Sequence, residues 1–371
     1  MSISGDVKQF LPGSSRSLHA MHRDVSDMHD EVHIEISEIK RRLDDIYRRV
    51  EQADCGISGN INRLSEDLDA HDSHMKMFAW ENYRREGEEI ADAKKRFFRS
   101  LPKATGGIRL LQLGCAKLLG EFDALCKSNE IQYWINFGTL IGAVRHGGFI
   151  PWDDDTDLGI MRDDLDRLAE AIENEPRYRI TLVYDKHVHC RQVRFSYADD
   201  SVPCFLDLFI YDWAPSVDAV MAERQREIRR EMVAEMEEDE QLAFWEDRPY
   251  YSGENSALIQ SYFDRYFAIS RSEGIVCEKD EARAIIWSID NLDDGNQRQW
   301  SYSLDDLLPS QRMEFEGVRL EAPANPDVFL QSRYGDILEL PKDIHTHFEH
   351  VDHDELESMN ASEAMMRLLE E

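Results

Sequence analysis

The run WDDDTDLGI, residues 152–160, constrains this chain more than any other feature, because it drives four carboxylates against the start of an apolar strand. Alternate side chains of a β-strand share a face, so Asp155 and Asp157 point to one side, and Asp153 has the same parity. Two or three carboxylates on one face repel each other and drift towards protonation unless a cation stands between them. Mg²⁺ or Mn²⁺ suits such a set, since both prefer hard oxygen ligands. A second acid stands in CFLDLFIYDW, where Asp207 interrupts an otherwise apolar strand. An ionised carboxylate there is costly unless it is metal-bound or paired, and Arg194 is the candidate for pairing. The plain alternative for 153–157 is a solvated acidic turn.

Charge narrows the function classes. The 371 residues carry 75 acidic against 43 basic side chains, a formal charge of −32, which repels nucleic acids and anionic lipid headgroups. At 42% apolar residues the chain has enough for a sizeable core, and its length allows two or three domains. No apolar run approaches the ~20 residues of a membrane span, and MSISGDVKQF lacks a charged-then-apolar leader pattern. The expectation is a soluble protein of the cytoplasm. Six cysteines without a CxxC pair are expected to be free thiols.

Residues 1–15, with Pro12, Gly13 and several serines, are expected to form a flexible tail. Then Leu18, Met21, Val25, Met28 and Val32 follow 3-4-3-4 spacing, and after one four-residue step Ile36, Ile39, Leu43, Ile46 and Val50 resume it. This is a coiled-coil seam with one stutter. Gly56 and Gly59 are expected to interrupt it, before Ile61, Leu64, Leu68, Met75 and Phe78 carry a second stripe. Two readings fit residues 16–100: an oligomerising coiled coil with a hinge, making a homo-oligomer, or a helical hairpin.

LPKATGG, residues 101–107, supplies the breakers of a domain boundary. Beyond it, Leu110, Leu111, Cys115, Leu118, Phe122, Leu125 and Cys126 share a helix face; IQYWIN and the runs near 178–183, 191–197 and 204–211 read as strands of one sheet. Residues 217–248 are charge-dense and helix-prone, with Ile228, Met232 and Met236 on one side. They read as a peripheral helical insert in a domain spanning 101–345, followed by an acidic tail or helix at 346–371.

Gly138-Thr139 sits between a strand and a short helix, where backbone N–H groups and a hydroxyl suit a phosphate. With the acids downstream, this is a phosphate-transfer constellation. At this point INFGTLIGAVRHGGFIPWDDDTDLGIMRDD closely resembles the signature of the LicD family, which includes bacterial phosphocholine transferases and the animal fukutin-related proteins. QVRF (192–195), FLDLF (205–209) and FEG…NPDVFLQSRYGDILELP (315–341) agree with it. The zinc-binding cysteines of some animal members have no counterpart here.

The resemblance implies an α/β (α+β) chain with a nucleotidyltransferase-like mixed sheet flanked by helices, preceded by the helical module. It implies transfer of phosphocholine or a phosphoalditol from a CDP-activated donor to a glycan hydroxyl, with release of CMP. Asp155, Asp157 and Asp207 match the metal-binding triad, with Mg²⁺ or Mn²⁺ as cofactor. Asp207 is also the candidate to accept the hydroxyl proton. Gly138, Thr139, Arg145 and Arg194 are the candidate substrate-binding residues, the arginines through charge-assisted bonds to phosphate, although each has an alternative as a structural ion pair. Phe149 and Trp152 read more readily as core than as a stacking wall. Tyr334-Gly335-Asp336 is expected to close a turn near the site. His345, His347, His350 and His353 read as a polar tail rather than a zinc site, and His29/His33 and His71/His74 as outward-facing pairs. A bacterial capsular, teichoic or lipopolysaccharide precursor is the expected acceptor, with peripheral association with membrane-bound glycan machinery. The alternative within the same fold is transfer of a nucleotide to a protein or small molecule.

Overall fold

A computed structural model of the chain describes residues 11–248, 250–291, 300–339, 351, 356 and 359–370. The chain divides into two compact units, Met1–Arg84 and Arg85–Glu371. Among the described residues the first unit is one helix, α1 (Leu11–Tyr83), 73 residues long. It takes in residues 11–15, which the sequence reading assigned to a flexible tail; the rest of that tail lies outside the described residues. It also runs without a break through Gly56 and Gly59, so neither the expected hinge nor a hairpin is present. Glycine in a helix interior costs only about 1 kcal/mol relative to alanine, and the proline of α1, Pro12, stands in the first turn, where no intrahelical hydrogen bond is lost.

The second unit begins with α2 (Ile90–Ser100), which the sequence reading grouped with the N-terminal module. Its Ala93 and Phe98 are buried in this unit, with Phe98 edge-on to His146. Helix α3 (Gly106–Ser128) follows and buries Leu111, Cys115, Leu118, Phe122 and Cys126, all on the expected face. Then come β1 (Tyr133–Ile135), α4 (Phe137–Ile141) with a π-type turn (Gly142–His146), β2 (Asp157–Met161) and α5 (Arg162–Ile172). Strands β3 (Tyr178–Asp185), β4 (Cys190–Tyr197) and β5 (Phe205–Ala214) fall where the apolar runs placed them.

The remaining elements are α6 (Ala219–Glu238), α7 (Ala243–Glu246), β6 (Tyr250–Tyr251), α8 (Ser256–Ser272), β7 (Ala284–Trp287), β8 (Ser301–Ser303), α9 (Leu304–Leu307), the hairpin β9 (Gln311–Phe315) and β10 (Val318–Ala322), α10 (Pro326–Tyr334) and α11 (Met359–Glu370). The main sheet runs β1-β2-β5-β4-β3-β6, and the far end of β5 also pairs with β7, which pairs with β8. Only β2 and β5 lie parallel in it; the other pairs are antiparallel. The fold is therefore a mixed sheet flanked by helices.

Two apolar cores hold it. The larger lies between the sheet, α3, α5 and the β9–β10 hairpin, and the smaller gathers Ile228, Met232 and Met236 of α6 with Trp245, Ile259 and Phe263. The charge-dense insert therefore supplies part of a second core, with Arg229 buried and donating to the Val188 and His189 carbonyls. Among the described residues no helix is long and apolar enough to cross a membrane. All six cysteines are free thiols. The histidines at 345, 347, 350 and 353 lie outside the described residues.

Candidate active site

Register across the sheet assembles the site. Asp157 opens β2 and stands opposite Asp207 of β5, and Asp207 stands opposite Arg194 of β4. Three side chains from three chain segments thus meet on one line across adjacent strands. Arg194 donates from Nε to Asp207 Oδ1 at 2.8 Å and lays its guanidinium 4.0 Å over the Phe205 ring. Asp207 is therefore both a member of the acidic cluster and the partner of Arg194, the two readings that the sequence set against each other.

The loop before β2 brings the other acids. Asp153, Asp154, Asp155 and Asp157 are all at least nine-tenths buried. Gln112 of α3, itself 1% exposed, donates from Nε2 to the Asp153 carbonyl at 2.9 Å and to that of Ile150 at 3.3 Å. That clamp ties the loop to α3. The Asp154 carboxylate accepts from the Val351 N–H at 3.2 Å.

Gly138 and Thr139 both serve Asp157. The Gly138 N–H donates to Asp157 Oδ2 at 3.0 Å, and the Asp157 N–H donates to Thr139 Oγ1 at 2.8 Å. A side chain at Gly138 would place Cβ 3.2 Å from Asp153 Oδ2 and 3.3 Å from Asp157 Oδ2, so glycine is what lets two carboxylates approach the backbone. The groups that the sequence reading assigned to a phosphate are engaged with this aspartate. Phe137, just before them, holds φ at +39°, a strained value for a bulky residue, of a kind that clusters at functional sites.

Burial pushes the Asp157 carboxyl well above its ordinary value, and the charges of Asp155, Asp153 and Asp207 push the same way, against the Gly138 N–H. The all-carboxylate donor set suits a hard divalent cation. As the side chains stand, no three His, Cys, Asp or Glu among the described residues converge on one metal position.

Asp155, Asp157, Asp207 and Arg194 line one end of a cavity of about 410 Å³. Its other wall is aromatic: Phe137 meets Phe209 edge-on at 4.6 Å and Trp287 at 5.4 Å, and the Arg333 guanidinium lies 4.1 Å over Phe137. Gln192, Asn291 and Tyr334 also line it. Sequence reasoning gave no role to Gln112, Phe137, Phe209, Trp287 or Asn291. Arg333 and Tyr334 were in view within the quoted Tyr-Gly-Asp element, whose Gly335 turns at φ +69° and whose Asp336 pairs with Lys94 at 3.3 Å.

Arg145 is placed elsewhere. It is 6% exposed, donates from Nη1 to the Ile337 carbonyl at 2.8 Å and stacks 4.4 Å over Phe98, outside the residues that line the cavity. Burial draws it down to about 10, against the pull of the Asp153 charge. Phe149 packs against Phe315 at 4.7 Å, and Trp152 lies against the main core, in keeping with packing roles.

Residues 130–240, which contain every acid of the cluster and Arg194, match the family described as LicD/FKTN/FKRP, nucleotidyltransferase domain. The chain is 35% identical over 135 residues to the lipopolysaccharide cholinephosphotransferase LicD of Haemophilus influenzae, a match covering 33% of this chain and 51% of that protein. It is 40% identical over 74 residues to the uncharacterized protein RP689 of Rickettsia prowazekii, covering 20% and 28%. It is 54% identical over 35 residues to the human ribitol 5-phosphate transferase FKRP, covering 9% and 7%. The chain thus spans about half the length of the first of these relatives and far less of the others. The match to the LicD family is thus carried by the domain at residues 130–240.

Proposed function

We propose that this chain is a phosphotransferase that moves phosphocholine or a phosphoalditol from a CDP-activated donor to a hydroxyl of a cell-surface glycan, releasing CMP. The observation that carries the reading is the line Asp157–Asp207–Arg194 across three strands, all within the matched domain, with Asp155 beside it and all four lining one cavity. The similarity to a cholinephosphotransferase and a ribitol 5-phosphate transferase supports the reaction class.

In the proposed reaction the acceptor hydroxyl attacks the phosphorus next to the transferred group. A new P–O bond forms, the bond to CMP breaks, CMP leaves with the electron pair, and the hydroxyl proton passes to Asp207. Arg194 holds Asp207 in place and offers its guanidinium to phosphate oxygens. Gly138, Thr139 and Gln112 fix Asp157 and its loop. The aromatic wall of Phe137, Phe209 and Trp287 excludes water from the bond being made. Asp155, Asp157 and Asp207 are the residues we propose to hold Mg²⁺ or Mn²⁺, which when bound neutralises charge on the donor pyrophosphate. The acceptor we propose is a capsular, teichoic or lipopolysaccharide precursor met in a bacterial cytoplasm, with peripheral association at the membrane.

The test is CMP release from CDP-choline and CDP-alditols with Mg²⁺ or Mn²⁺, by the native protein and by Asp157→Asn. Turnover should fall by on the order of a hundredfold in the variant while its circular dichroism is unchanged. Equal turnover by the variant overturns the site. The family description also names nucleotidyl transfer. Mass spectrometry of the acceptor separates the two: a nucleotide left on it favours that second reading, a phospho-substituent the first.

A further inference from the structure

Helix α1 shows an apolar seam that nothing in its own unit covers. Its seam residues from Met21 to Phe78 are 43–67% exposed. Among the described residues the unit holds no second element for them to pack on. An isolated helix gains little from propensity alone and draws most of its stability from packing an amphipathic face, and this one also carries two interior glycines. A stripe at coiled-coil spacing over about 90 Å of helix requires an equally long apolar partner.

The seam specifies what that partner is. Between Ile36 and Ile57 the repeat is regular, with Ile36, Leu43, Val50 and Ile57 at the first core position and Ile39, Ile46 and Ala53 at the second. Glu35 and Arg49 flank the first position, and Lys40 and Asp54 flank the second. In a parallel pair with no stagger, such flanking positions meet five residues apart across the interface. Glu35 then faces Lys40 of the other copy, and Arg49 faces Asp54, each pair occurring twice by symmetry. The remaining flanking pair in this segment sets Arg42 against Tyr47, so no like charges meet between Ile36 and Ile57. The steps of four at Val32–Ile36 and Ile57–Ile61 locally unwind a supercoil, and both helices must unwind at the same level. A second copy, parallel and in register, meets that condition residue for residue.

We infer that α1 assembles copies of this chain into a parallel, in-register coiled coil, independently of the transferase reading. The full chain should therefore have a mass in solution that is two or more multiples of 43.2 kDa by light scattering. In a Cys55→Ser background, Met28→Cys and Leu64→Cys should each form a disulfide-linked pair under mild oxidation. Those two sites lie far on either side of the middle of the seam, so an antiparallel pair holds like positions tens of ångströms apart. Glu35→Lys should raise the dissociation constant several-fold, and adding Lys40→Glu should restore it. A single-chain mass overturns the assembly, and so does a complex in which this helix binds only a different protein. An oligomer that cross-links at neither position overturns the parallel register.

Discussion

Replacing Asp290 by asparagine tests the polar network beneath the cavity. Asp290 is about 1% exposed and lies next to Asn291, which lines the site. Its carboxylate pairs with Arg162, accepts from Ser288 Oγ at 2.6 Å and lies 2.8 Å from Arg191 Nη2. Arg162 also donates from Nε to Asp212 at 2.7 Å and is laid 4.0 Å over Phe267. Burial alone raises an aspartate, but here the charges of Arg191 and Arg162, with bonds from Arg162 and Ser288, win and draw Asp290 from 3.8 down to about 2. A group lowered in the folded state contributes stability that is complete above its unfolded value and is lost as pH falls through its folded value. The gap is worth about 2–3 kcal/mol above pH 4, and it vanishes between pH 4 and pH 2.

Asp290→Asn keeps the shape and removes the charge. Arg162 retains Asp212, while Arg191 loses its carboxylate partner and keeps Gln260 at 3.1 Å. Breaking a buried pair typically costs about 3–5 kcal/mol, and the surviving partners place this variant near the lower end, about 3 kcal/mol below the native protein at pH 7. Urea unfolding followed by tryptophan fluorescence, repeated from pH 7 down towards pH 3, gives the difference directly. It should be largest at neutral pH and narrow below about pH 4, where the unfolded chain takes up the proton that the native carboxylate still refuses. A difference that stays constant across the range, or one below about 0.5 kcal/mol at pH 7, refutes the reasoning.

Two further substitutions probe how closely the chain is packed around the acids. Gly159→Ala drives a methyl into the Trp134 indole, which is 2% exposed and has no room to yield, so the melting temperature should drop by an amount corresponding to about 1–3 kcal/mol; an unchanged melting temperature contradicts the close approach. Gly138→Ala crowds the Asp153 and Asp157 carboxylates from 3.2 and 3.3 Å, and activity should fall by about tenfold with little change in melting temperature; loss of stability without loss of activity would show that the glycine serves only the fold.

Much of the sheet was legible because its pattern is local. The apolar runs of β3, β4 and β5 are each written in their own segment, and Asp207 stands out because a charge in an apolar strand needs a reason. The residues around the aromatic wall were not legible. Trp287 and Asn291 reach the cavity only because β7 pairs with the far end of β5, a contact between segments some 70 residues apart. The second core was partly hidden for the same reason: Ile228, Met232 and Met236 mark a face, but what they face is α8, and Ile259 and Phe263 carry no sign of that. Glycine misled twice. In α1 it is an ordinary helical residue at modest cost, and at Gly138 it makes room for carboxylates and leaves its N–H bonded to Asp157. Arg145 shows the limit of spacing, since a residue six positions after Thr139 is carried by the π-type turn towards Phe98 and Ile337.

Because Asp157, Asp207 and Arg194 come from three neighbouring strands, hydrogen bonds between strands fix their spacing, and the links that join those strands do not. The exposed residues 173–177 and 198–201 are therefore free to lengthen or shorten without disturbing the chemistry. A single-residue deletion within β2 or β5 is a different matter, since it turns the acid on that strand to the opposite side of the sheet. Diversity in such a scaffold belongs in its links, while the strands themselves tolerate substitution but not a change of length.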